Sequence, residues 1–124
     1  VPPPSFVVPL VVNDFGDFVL LVYDDSGLVT GGRALEQGPG FGMDGVVAVP
    51  ERQELDISWT GGACAERPRL HVSGNSAALR LVISNPTSSQ LPFLGCPAVG
   101  IPLAATLSVS EPVADDAVKF EVSH

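Results

Sequence analysis

Only one lysine, one tryptophan, one tyrosine and one methionine occur in this 124-residue chain, with two cysteines and two histidines. Each scarcity removes a class of function. Six basic residues against fourteen acidic ones leave a net charge of −8, which argues against nucleic acid and anionic membrane surfaces as partners. No uninterrupted apolar run approaches the roughly 18 residues of a membrane-spanning helix. Cys64, Cys96, His71 and His124 lack metal-ligand spacing, so neither a zinc site nor another cofactor is expected. No Gly-x-Ser-x-Gly elbow is present to carry a nucleophilic serine. Gly38-Pro39-Gly40-Phe41-Gly42 is glycine-rich but lacks the Lys-Ser or Lys-Thr and the following helix of a phosphate loop.

What the chain does contain is core material and breakers. Val, Leu, Ile and Phe supply 40 residues, enough for a real core in one domain. Thirteen glycines and twelve prolines cut the chain into short pieces. Apolar residues recur with period two. Leu55, Ile57 and Trp59 alternate with Glu54, Asp56 and Ser58; Leu103, Ala105, Leu107 and Val109 alternate with Ala104, Thr106 and Ser108; Val118, Phe120 and Val122 alternate with Lys119 and Glu121. Each reads as a strand with one buried and one wet face. Residues 18–23 are continuously apolar, the pattern of a central strand covered on both sides. Leu70–Ser73 and Ala77–Ser84, joined at Gly74-Asn75-Ser76, form a hairpin in which Leu70 meets Leu81, Val72 meets Leu79 and His71 meets Arg80. Between Arg80 and Glu111 lie thirty uncharged residues broken by four prolines, read as strand, long crossover and strand.

The expected fold is all-β: an immunoglobulin-like antiparallel β-sandwich of seven or eight strands with one disulfide. Residues 1–5, with Pro2, Pro3 and Pro4, read as a Pro-rich linker and 6–124 as a single domain. The absence of an initiator Met at Val1 fits a removed leader or a cut at a domain edge, with a lipid anchor upstream as one option. A structural disulfide between Cys64 and Cys96 is the economical use of two cysteines, and it places the chain outside the reducing cytosol. An unpaired Cys64 acting as a thiol nucleophile is the alternative.

Candidate sites are few. Asp14, Asp17, Asp24 and Asp25 lie in turn-forming clusters that offer oxygens to calcium but match no twelve-residue calcium loop, so their first reading is as turn formers. Phe41 and Met43 sit in a glycine-rich stretch where nothing local buries them, and are candidates for a partner-contact loop. Trp59 shares a face with Leu55 and Ile57 and is expected in the core rather than under a sugar.

Ser58-Trp59-Thr60-Gly61-Gly62-Ala63-Cys64 and Cys96-Pro97-Ala98-Val99-Gly100-Ile101 resemble a pattern of uncharacterised exported bacterial β-sandwich proteins, secreted or lipid-anchored. The resemblance covers roughly residues 54–118 and, more loosely, the stretch Asp24–Arg33. It implies an exported two-sheet domain with Cys64 joined to Cys96 and brings no activity. The function expected is therefore a non-catalytic module at the cell envelope, structural or binding a protein or glycan partner, as a monomer or weak dimer. A calcium-assisted or carbohydrate-binding adhesion module is the alternative, and a small Asp-dependent hydrolase the second.

Overall fold

The computed structural model describes residues 3–13, 16–34, 45–62, 67–84 and 100–123. Nine strands form among them: β1 (Phe6–Asn13), β2 (Gly16–Asp24), β3 (Val29–Ala34), β4 (Gly45–Val49), β5 (Glu54–Gly62), β6 (Arg69–Asn75), β7 (Ala78–Ser84), β8 (Gly100–Val109) and β9 (Val118–Ser123). Short 3₁₀ turns cover Pro50–Arg52 and Asp115–Ala117. Two sheets result, ordered β1-β2-β6-β7-β9 and β3-β8-β5-β4. They face each other as a β-sandwich, with β1 against β3 at one side and β9 against β4 at the other.

The core is made by the alternating residues. Leu20, Val22, Leu70, Val72, Leu81 and Ile83 of the first sheet and Leu55, Ile57, Trp59, Leu103, Ala105 and Leu107 of the second are all fully buried. Val118 and Phe120, also expected inside, pack against the core only in part because β9 is an edge strand. Val8 and Leu10 of β1 join them from a strand that sequence periodicity did not reveal. Ser5 ties the start of β1 down, donating its N–H to Val22 O at 2.7 Å and accepting from Asp24 N at 3.1 Å.

Four expectations are corrected. The expectation of seven or eight strands gives way to nine among the described residues alone, because β1 and β3 are strands too. The sandwich is not wholly antiparallel, since β2 runs parallel to β6 and β7 parallel to β9. In each case the chain leaves for the other sheet between the two strands, so the returning strand is free to lie in the same direction. Next, β2 is not covered on both sides: Phe18, Leu20 and Val22 are buried, whereas Val19, Leu21 and Tyr23 are half-buried on the outward face. Finally, the hairpin register differs by two. Leu70 meets Ile83, Val72 meets Leu81, His71 meets Val82 and Ser73 meets Arg80. A shift of two keeps every side chain on its face, which is why the apolar pattern alone did not distinguish the two registers.

Local chemistry at the turn selects the observed register. Asn75 Oδ1 accepts from Ala77 N at 2.9 Å and from Ala78 N at 3.0 Å, closing a two-residue loop at Ser76-Ala77. Gly74 takes φ +99°, and a Cβ placed there would collide with the backbone oxygen of Ala78. Gly74→Ala is therefore expected to destabilise the domain by about 2–3 kcal/mol, combining left-handed strain with a backbone collision. A drop in the urea midpoint at unchanged slope checks it.

The wet face of the second sheet is also drier than its alternation suggests. Ser58, Ala104 and Thr106 point away from the core yet are 5%, 0% and 1% exposed. At Thr106 the cause is visible. Arg33 on β3 reaches over β8 to Glu54 on β5, and Thr106 Oγ1 donates to Asp56 Oδ1 at 2.8 Å beneath it.

Candidate functional site

The two ends of the sandwich differ. At one end the connections are short and hydrogen-bonded: 25–28, the 3₁₀ turn Pro50–Arg52, the Ser76-Ala77 loop and the return from β8 to β9. Here Asp24 organises the chain. Its Oδ1 accepts from the N–H and hydroxyl of Ser26, its Oδ2 accepts from Val29 N at 3.0 Å, and Ser26 Oγ accepts from Leu28 N. Gly27 at φ +75° completes the turn. Asp25 is exposed and donates its N–H to Val72 O at 2.8 Å. Asp24 thus serves as a turn former, its two oxygens held by three local donors.

At the opposite end, β1 gives way to β2, β3 to β4, β5 to β6 and β7 to β8. In the sequence, residues 35–44 stand between β3 and β4 and residues 85–99 between β7 and β8. Cys64, Cys96, Phe41, Met43 and Asp14 all lie outside the described residues. Asp17 pairs with Val12 through β2, and its side chain lies outside the description as well. Among the described residues, no group of three or more His, Cys, Asp or Glu side chains converges as a metal site would require.

The outward face of the first sheet carries the most distinctive side-chain pair. Tyr23 and His71 are register partners on adjacent parallel strands, and their rings stack with centroids 5.1 Å apart at 14°. His71 does not face Arg80 as the sequence register implied. Its row across the sheet reads Tyr23, His71, Val82, Glu121, so the carboxylate in that row is two strand spacings away, roughly 10 Å. That is too far to orient an imidazole as a general base. Glu121 instead accepts from Arg80 at 3.1 Å.

Cations elsewhere are used as struts. Glu54, with a side chain 16% exposed, is held by Arg33 at 3.3 Å and Arg52 at 3.0 Å, linking β3, β5 and the 3₁₀ turn. An open notch of about 300 Å³ lies between the β6–β7 turn and β9, lined by Ala77, Ala78, Leu79, Arg80, Asp116, Ala117 and Lys119. Two positive and two negative side chains meet around it once Glu121 is included, so it has no net electrostatic preference.

Sequence reasoning missed the Tyr23–His71 stack, the Glu54 clasp and a contact from Asp115 Oδ1 to Ala48 N at 2.9 Å. None has a local signal, because each joins residues brought together by strand order. No family model, curated protein or solved structure matches the chain.

Proposed function

We propose that the chain is a non-catalytic, exported partner-binding module of immunoglobulin-like type, meeting its partner at the end where the long connections lie. The observation that carries this reading is the asymmetry of the two ends. One end is closed by tight turns, whereas at the other β3 and β7 end and β4 and β8 begin, with ten and fifteen residues of sequence between them. Immunoglobulin-like binding modules distribute chain length in this way, with recognition residues on loops carried by a stiff scaffold. The use of Asp24 in a turn, of arginines in cross-strand pairs and of His71 in a ring stack fits a body whose polar side chains build structure. No observation favours the calcium or hydrolase readings over this one.

Export rests on the proposed Cys64–Cys96 disulfide, which strand geometry permits. Gly62 and Gly100 are direct register partners on β5 and β8. Cys64 follows the first by two residues and Cys96 precedes the second by four. At no more than about 3.6 Å per residue, both sulfurs have ample chain to reach the roughly 5.5 Å Cα separation of a bridge.

The experiment places a photo-crosslinking residue at Phe41 and, as a control, at Ser76 on the tight-turn end, with the protein in its native envelope. The expected result is one saturable crosslinked product from position 41 and none from position 76. Equal labelling from both, or no product from either, would count against the reading. Heat on titrating Ca²⁺, or retention on a glycan array, would replace it by the adhesion alternative.

A further inference from the structure

A sheet edge offers unpaired N–H and C=O groups to any extended chain, and a two-sheet domain has four such edges. Three of them here carry obstacles built into the strand. Leu21 donates its N–H to Pro68 O on the β6 side, so the even-numbered residues of β2 turn toward β1. Their partners Phe6 and Val8 turn inward, and Val7 and Pro9 face out. Pro9 thus leaves a gap in the row of donors, and an irregularity follows between Pro9 and Val12. On β3 the register shifts between Val29 and Gly31, and Arg33 is charged and exposed. On β9, Lys119 and Glu121 are exposed on the strand itself.

The fourth edge, β4, differs. Gly45–Val49 has no charge, no proline and an unbroken register with β5. Val109 donates to Gln53 O, so the odd-numbered residues of β5 bond toward β8 and the even-numbered ones toward β4. Val47 and Val49 are therefore bonded within the sheet, whereas Val46 and Ala48 turn their polar groups to the other side, where the 3₁₀ turn Asp115–Ala117 packs against β4 and leaves Ala48 9% exposed. Asp115 Oδ1, from the 3₁₀ turn before β9, accepts the Ala48 N–H at 2.9 Å.

We propose that the β4 edge is a self-pairing surface for a second copy of this chain, and that Asp115 holds it closed. The pattern is self-complementary. Around a two-fold axis at Val47, Val46 of one copy faces Ala48 of the other, and both pairs exchange N–H and C=O groups. Four hydrogen bonds form and the two sheets become one of eight strands. The Val47 side chains, 37% exposed in the single chain, meet across the axis. No charge on either strand opposes the pairing. The net charge of −8 per copy repels at long range but is screened beyond about 8 Å at physiological salt. Strands of five residues give a small contact of the transient class, so association depends on whether the Ala48 N–H is free.

Sedimentation equilibrium over a concentration series tests this with the full chain. Asp115→Ala is expected to raise the association constant by about tenfold or more, toward a doubled mass. Asp115→Asn keeps an acceptor oxygen and should sediment as the wild type. Asp115→Ala combined with Ala48→Pro removes the outward N–H and should return to a single copy. A folded Asp115→Ala protein that associates no more than wild type overturns the proposal. So does association that survives Ala48→Pro. If Asp115→Ala does not fold, Asp115→Ser, whose side chain is one atom shorter, is judged by the same criteria.

Discussion

Trp59→Ala is expected to remove about 3–5 kcal/mol of stability, the cost of emptying a large, fully enclosed aromatic site. Trp59 is 0% exposed, lies in the middle of β5 opposite Leu103, and is the largest of the fully buried side chains. Set against the 5–15 kcal/mol by which domains are held folded, roughly, that loss leaves little margin. Trp59→Phe should behave differently. The indole Nε1 is buried and has no hydrogen-bond partner among the described residues, so the native residue is expected to carry a desolvation cost of about 1–3 kcal/mol. Phenylalanine loses ring area but sheds that cost, and the two changes largely offset each other. Far-UV circular dichroism in urea is the suitable measurement, since both variants lack the chain's single tryptophan. Equal losses for the two variants would mean that the indole N–H is not a burden.

Reduction of the proposed Cys64–Cys96 bridge is the second large effect. Releasing a loop of this length from the unfolded ensemble costs about 3.5–4 kcal/mol in the chain-entropy account. The bridge would link the segments leaving Gly62 and Gly100, the last register pair of β5 and β8, so its loss should loosen the connector end first. The thermal midpoint is expected to fall in the presence of reductant. Cys64→Ala/Cys96→Ala should match the reduced protein and be indifferent to reductant. Intact mass before and after reduction should differ by two hydrogen atoms. An unchanged midpoint, or free alkylation of both thiols in native protein, would remove the bridge and the argument for export with it.

Much of the core was readable from alternation. Leu55, Ile57 and Trp59, the odd residues of 103–109, and Leu70, Val72, Leu79, Leu81 and Ile83 are inside, as a period of two demands. The Asp24 turn was readable for a similar reason, because a short carboxylate beside Ser-Gly bonds its own neighbours. Pro9 hid β1, since a proline normally argues against a strand; it is tolerated because its nitrogen faces the free edge. Alternation gives the faces of the hairpin but not its partners, because Asn75 and Gly74 choose the turn through backbone bonds and a positive φ that hydrophobic pattern does not encode.

The candidate surfaces divide along the same line. That Tyr23 and His71 are outward-facing residues follows from parity along their strands, but that they stack follows from β2 and β6 lying side by side and parallel, forty-eight positions apart. Asp115 reaches Ala48 across sixty-seven positions, and Arg33 reaches Glu54 over an intervening strand.

The amino-acid order alone therefore determined that the chain is all-β, the inward faces of β5, β6, β7 and β8, and the turn at Asp24. Those features depend on the period of a strand and on bonds between near neighbours. Strand order, the two parallel pairs, the division into a tight end and a connector end, and the guarding of β4 were decided only in the folded molecule. Strands join through backbone N–H and C=O groups that are alike at every position except proline, so the choice of neighbour is made by how two whole sheets pack.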